Sequence, residues 1–131
     1  MQSITWILKE TVLSVHEVQI LEHGGLYGIR DTSLLESALA RPRNMHEYSE
    51  NTVSLHQLAA SYAFGISSNH PFIDGNKRVA LVISYVFLQL NGFEVIASEI
   101  DSVTIFLKLA SNQMSEEELA EFLTINSRTL A

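Results

Sequence analysis

The run His70-Pro71-Phe72-Ile73-Asp74-Gly75-Asn76-Lys77-Arg78 gathers an imidazole, a carboxylate, a glycine and two cations between two apolar stretches. A helical pattern opens near Asn76. The start of a helix carries unpaired N–H groups and a partial positive charge. An anion placed there meets backbone donors, and Lys77 and Arg78 add full charges, which is the arrangement of a phosphate site. Gly75 permits backbone angles that other residues avoid. Asp74 would repel a neighbouring phosphate unless a cation intervened. Mg²⁺ takes oxygens from one or two carboxylates and from phosphates, so Asp74 is the candidate metal ligand. The His70 imidazole titrates near neutrality and can take a proton from an attacking hydroxyl. The run reads as base, metal ligand and phosphate cradle.

Each of these residues also has a structural alternative. A single histidine is often a satisfied packing residue, and Asp-Gly is commonly a turn. Lys-Arg at a helix start is commonly a solvated face. Two cations in a first turn nevertheless oppose the helix dipole, and a bound anion would account for them.

Helical periodicity dominates the elements that must hold this run. A first helix is predicted over 9–22, stopped by Gly24-Gly25, with Ile4-Thr5-Trp6 as a short extended piece before it. Ser33-Leu34-Leu35-Glu36 has the capping-box pattern and opens a second helix, which Pro42 is expected to end. Residues 44–51 read as a polar loop. A third helix covers roughly 53–68 and buries Leu55, Leu58, Ala59, Tyr62, Ala63 and Ile66. The fourth, from Asn76 to about Leu90, is apolar on nearly all sides and should be the central helix. Asn91-Gly92 closes it, and a short extended segment is expected between Phe93 and Ile100. Asp101 can cap a fifth helix to about Ser111, and Ser115-Glu116-Glu117-Glu118 a last one to about Ser127. The expected fold is all-α, about six helices around a central apolar helix, in a single domain spanning 1–131.

Composition fits that reading. Of the 131 residues, 47% are apolar, enough for one core. The absence of cysteine excludes a disulfide scaffold and a thiolate zinc site. No basic stretch and long apolar run marks Met1 to Leu8 as a secretory signal, and Val79 to Leu90 is too short to span a bilayer. A net charge of −7 argues against a direct nucleic-acid partner, because phosphate backbones need a basic face. Arg30, Arg41, Arg43, Lys77 and Arg78 are five of the eight cations, all in or beside expected loops. If those loops converge, they make a cationic spot suited to a small anion.

The run at 70–78 resembles the signature of the Fic/Doc family, His-Pro-Phe-x-Asp/Glu-Gly-Asn-Gly/Lys-Arg, and matches it at every fixed position. Upstream, Gly24-Gly25-Leu26-Tyr27-Gly28-Ile29-Arg30-Asp31 and Leu34-Leu35-Glu36-Ser37-Ala38-Leu39-Ala40-Arg41-Pro42 are similar to the N-terminal region of the death-on-curing (Doc) toxins, whose short length this chain shares. The resemblance covers most of residues 4–125 and is weakest in the C-terminal third. It implies an α-helical enzyme that transfers part of a nucleotide to a protein hydroxyl. His70 would activate the hydroxyl, with Lys77 and Arg78 beside it in the catalytic group. Asp74 would hold Mg²⁺, and Gly75, Asn76, Lys77 and Arg78 would meet the phosphates of ATP.

Lys77 bears on the kind of transfer. AMP-transferring Fic enzymes usually carry glycine there, whereas lysine in the Doc branch goes with a reversed nucleotide and transfer of the γ-phosphoryl group. The resemblance therefore implies a toxin kinase of the bacterial cytoplasm. Its target would be a protein such as elongation factor Tu, its effect arrested translation, and its restraint a Phd-like antitoxin. Pro71 and Gly75 look more like Fic, which keeps AMP transfer as an alternative; a non-catalytic interaction module is a further one. The self-inhibitory pattern of Fic enzymes, Ser/Thr-x-x-x-Glu-Gly/Asn, has its nearest match in Thr32-Ser33-Leu34-Leu35-Glu36-Ser37, which fails at the last position.

Other candidates read as structural. His16, His23, His46 and His56 lack metal-ligand spacing, and His16 and His56 suit helix packing. His23 precedes a glycine stop, where it could meet the helix C-terminus. Met45, His46 and Tyr48 could form the family's target-docking flap if 44–51 is a loop. Arg41 and Arg43 could aid the anion site or simply be solvated. Trp6 suits the core, and Glu116 to Glu118 a solvated helix start.

Overall fold

The computed structural model describes residues 3–50 and 52–130. Among these residues six helices and one antiparallel pair of short strands follow in order: α1 (Lys9–His23), α2 (Thr32–Tyr48), α3 (Leu55–Asn69), α4 (Asn76–Leu90), β1 (Phe93–Val95), α5 (Glu99–Ala110), α6 (Glu116–Ile125) and β2 (Ser127–Thr129). The all-α expectation holds, with the two strands as a small addition. Among the described residues no helix is long and apolar enough to cross a membrane.

The core is built on α3 and α4 side by side. In α3 the fully buried positions include Leu58, Ala59, Tyr62, Ala63 and Ile66, while Leu55 is only half-buried. In α4 they include Val79, Ala80, Ile83, Phe87 and Leu88. The innermost position expected for α4 is thus shared with α3. Helix α2 and helix α6 pack on α3, whereas α1, α5 and β1 pack on α4. The loop of interest joins the two innermost helices, so both of its ends are anchored in the best-packed part of the molecule.

Several boundaries differ from those read off the sequence, each for a physical reason. Helix α2 does not end at Pro42; it continues to Tyr48 with the proline buried inside it. A proline within a helix removes one backbone bond and crowds the carbonyl four residues back. Here that carbonyl belongs to Ala38, which faces Gly65 of α3 where the two helices cross. Packing of Leu35, Ala38 and Pro42 outweighs the lost bond, and residues 44–48 are helix rather than loop; Asn51 lies outside the described residues. The N-cap of α2 is Asp31, whose Oδ1 accepts from the Ser33 and Leu34 amides at 2.9 and 3.2 Å. Ser33 instead donates its hydroxyl to Asp31 at 2.6 Å, so no Ser33–Glu36 box forms. Likewise Ser98, not Asp101, caps α5. The box at Ser115 and Glu118 is present.

Residues 4–6 form no strand; Asn91 holds them, exchanging bonds of 2.8 and 2.9 Å with the Thr5 backbone. The last helix stops at Ile125, because Ser127–Thr129 pairs antiparallel with Phe93–Val95. Glu94 and Arg128 face one another across that pair and make an ion pair. His56 reaches the Ser127 hydroxyl at 2.8 Å and meets Phe93 edge-on, so its expected packing role stands.

The α2–α3 crossing depends on Gly65. A β-carbon there would come within 3.2 Å of the Ala38 Cα and carbonyl oxygen, both backbone atoms that cannot swing away. Gly65→Val should therefore force the helices apart and cost roughly 1–3 kcal/mol, as overpacked cores do. Chemical denaturation of the variant checks this; an unchanged midpoint would mean that the crossing yields easily.

Candidate functional site

The site begins with how the loop is fixed. Asn76, the first residue of α4, is buried, and its amide bonds back onto Phe72: the Phe72 N–H donates to Oδ1 at 2.9 Å and Nδ2 donates to the Phe72 carbonyl at 3.0 Å. This reciprocal pair closes residues 72–76 into a ring with both ends held. Phe72 itself is fully buried. Asn76 therefore commits its amide oxygen and one amide N–H to the loop, beside the backbone N–H it brings to the start of α4.

Gly75 precedes α4 with φ of 84°, a left-handed conformation that glycine adopts at little cost. The first helical bond runs from the Val79 N–H to the Gly75 carbonyl at 2.9 Å. No side chain caps this turn, in contrast to the capped starts of α2, α3, α5 and α6. The first-turn amides thus stand at the edge of a cleft of about 540 Å³. His70, Asp74, Gly75, Lys77 and Arg78 line it, together with His23 and Phe106. The residues named from the sequence are brought together around one opening.

The two cations of the first turn are arranged differently from a simple anion pair. Lys77 turns its ammonium to the Ser67 carbonyl and hydroxyl at 2.9 and 2.7 Å. It thereby meets the C-terminal end of α3, where a cation is favoured, and relieves the clash with the α4 dipole without any ligand. Burial lowers its pKa. Arg78 lays its guanidinium over the Phe106 ring, 4.5 Å from the centroid, a cation–π contact that holds it against α5.

The segment between α1 and α2 clamps the loop from outside. The Arg30 and Asp31 amides donate to the Pro71 carbonyl at 2.7 and 3.1 Å, and the Ile73 amide donates to the Gly28 carbonyl at 3.1 Å. Arg30 also donates from its guanidinium to the His70 and Asn69 carbonyls at 2.7 and 2.8 Å. It thus ties down the end of α3. Asp74 accepts the Leu26 N–H on Oδ2 at 2.9 Å, which tethers one oxygen of its carboxylate. Gly25 makes this approach possible: with φ of 118°, a β-carbon there would sit 3.0 Å from Ile20 and 3.2 Å from the Asp74 Cβ. Among the described residues no cluster of three or more His, Asp or Glu side chains could cage a metal. The exposed Asp74 carboxylate does fit a Mg²⁺ held chiefly by phosphates and water, which needs only one or two protein carboxylates.

His70 ends α3 in the left-handed region, φ 50° and ψ 56°, unusual for a residue with a side chain. Its ring is exposed. A little burial, then the charges of Lys77 and Arg30, lower its pKa. The free imidazole is therefore the favoured form near neutrality.

The remaining sequence candidates lie elsewhere. Arg41 grips Glu116 with two bonds of 2.9 and 2.6 Å and bonds Ser61, so Glu116 is paired rather than merely solvated. Arg43 lies over Trp6. Only Arg30, Lys77 and Arg78 of the five cations converge. Met45, His46 and Tyr48 belong to α2 and form no flap, since Pro42 fails to break the helix; His46 packs on Trp6. Glu36 pairs with Lys9 at 3.6 Å. His23 is exposed near Glu22 and lines the cleft. The sequence reading missed the clamp of residues 25–31, although its glycines and Arg30 were in view. It also missed that His16 lies under the loop.

The family model described as the Fic/DOC family matches residues 6–88, which include α1 to α3, the loop and most of α4. The chain belongs to the Fic/Doc family. It is 31% identical over 118 residues to a protein named "Protein kinase doc" from Escherichia phage P1, spanning 89% of this chain and 91% of the relative. It is 33% identical over 89 residues to "Toxin Doc" of Mycolicibacterium smegmatis, spanning 68% of this chain and 66% of the relative.

The left-handed backbone at His70 is a measurable strain. A side chain in this region costs roughly 1–2 kcal/mol, whereas the extra unfolded-state freedom of glycine costs roughly 0.5–1 kcal/mol. His70→Gly should therefore hold or raise stability, by up to about 1.5 kcal/mol on the same figures. Thermal unfolding tests this; a clear drop would show that the His70 side chain supports the fold.

Proposed function

We propose that this chain is a Doc-type toxin kinase, one Fic/Doc unit over residues 1–131, that moves the γ-phosphoryl group of ATP to a hydroxyl of a target protein. The carrying observation is the uncapped start of α4 opening on the same cleft as the Asp74 carboxylate and the free His70 imidazole. Backbone donors and Arg78 suit a polyphosphate; His70 suits the proton of the incoming hydroxyl. In the transfer, the hydroxyl oxygen bonds to the γ-phosphorus, the bond to the β–γ bridging oxygen breaks, ADP leaves, and His70 takes the proton. Mg²⁺, when bound by Asp74 and phosphate oxygens, would offset the negative charge that gathers there. Arg78 adds its charge to the same end. The names of the two relatives, a protein kinase and a toxin, support this reading. A translation factor such as elongation factor Tu is the proposed target in a bacterial cytoplasm, and a Phd-like antitoxin the proposed inhibitor.

One observation favours AMP transfer as a second reading. Lys77 folds back onto Ser67 and does not extend across the start of α4, so the space that glycine leaves in AMP-transferring relatives is not filled by its ammonium. The two chemistries differ in the label they deliver. With ATP labelled at the γ position, the kinase reading predicts a labelled protein in a bacterial lysate, absent with His70→Ala. Label arriving only from the α position would establish AMP transfer instead, and none from either would leave a binding module.

The pH profile follows from His70. Its lowered pKa means that activity should be full at neutral pH and fall on acidification, with a midpoint below the usual histidine value of 6.5. A profile that falls above 6.5 would contradict the role of an imidazole so placed.

A further inference from the structure

His16 is the one buried histidine of the molecule's described residues, 4% exposed, and it belongs to α1, far from the 70–78 run in sequence. Its ring lies parallel to that of Phe72, with centroids 3.9 Å apart and planes 7° from coincidence. Its Nε2 is 2.9 Å from the Asp74 carbonyl oxygen, a contact that requires the proton on Nε2. The same ring stands 3.7 Å from where a Gly75 β-carbon would be. His16 thus touches three successive features of the loop: the Phe72 anchor, the Asp74 backbone and the Gly75 turn.

We infer that His16 is a positioning residue that sets the orientation of the Asp74–Gly75 peptide, and through it the aim of the Asp74 carboxylate and the first amides of α4. This rests on the proposed nucleotide transfer at the same cleft. The Asn76–Phe72 bonds fix the two ends of the ring, but the peptide between Asp74 and Gly75 has no other hydrogen bond to its carbonyl among the described residues. Gly75 adds rotational freedom at this point. Without a donor at Asp74 the peptide can turn, and a small misplacement at a reacting centre is costly out of proportion to its size. The stack on Phe72 holds the ring in plane, and the Nε2–H directs the carbonyl.

Two variants separate the stack from the donor. His16→Phe keeps an aromatic ring on Phe72 and removes the donor; His16→Gln keeps an amide donor at a similar reach. Both are measured by hydrogen–deuterium exchange of the 72–77 amides and by transfer from ATP with Mg²⁺. For His16→Phe we expect faster exchange confined to this loop, an unchanged melting temperature, and kcat reduced at least tenfold with a smaller change in KM. Partial rescue by His16→Gln is expected. Wild-type exchange rates in His16→Phe would overturn the inference whether or not the protein transfers phosphate. Loosened exchange with full activity would overturn it too. Loosened exchange in His16→Phe with no transfer by the wild-type chain would instead refute the proposed function while leaving the hold on the loop intact.

Discussion

Asn76 exchanging two hydrogen bonds with the backbone of Phe72 is the constraint on which the candidate site rests. A buried amide with both its donor and acceptor satisfied costs little, whereas a half-satisfied one costs the full desolvation of the orphaned group. The pair therefore behaves as all or nothing. While it holds, Phe72 stays in the core and α4 begins at a fixed point in space. The open amides of its first turn then face solvent at the end of a rigid rod.

What surrounds this ring is a division of labour among cations. In an acidic chain the positive residues could be expected to collect at one anion site, yet most of them are structural. Arg30 and Lys77 both satisfy carbonyls at the end of α3, and Arg41 joins α2 to α6 through Glu116. Arg78 is held by an aromatic face, and among the described residues no carboxylate pairs with it. The C-terminal end of α3 and the N-terminal end of α4 meet at the loop with opposite polarity. Lysine and arginine quench the first, while the second remains open.

Much of this was legible from residue type and order. The periodicity of α1, α3 and α4, the capping box at Ser115, and the chemistry of the 70–78 run can all be seen without coordinates. The failures share a cause: long-range contacts overrode local rules. Pro42 stays helical because its flank packs into the α2–α3 crossing, and Ser127–Thr129 is a strand only because Phe93–Val95 lies alongside. That the Asn76 amide also bonds back onto Phe72 is something a sequence cannot show. His16 looked like packing, which it is, but the surface it packs on is the loop itself. Residues 25–31 read as a resemblance and not as a clamp, since pairing with 71–73 is invisible until the chain has folded.

The account stands on an anion received at the start of α4 and joined by a divalent ion to Asp74. Calorimetric titration of the protein with ATP tests this most directly, with and without Mg²⁺, in the wild type and in Asp74→Ala and Arg78→Ala. Binding should need the metal, weaken at least tenfold in Arg78→Ala, and lose its metal dependence in Asp74→Ala. Equal affinity in all three proteins, indifferent to chelation of the metal, would contradict it.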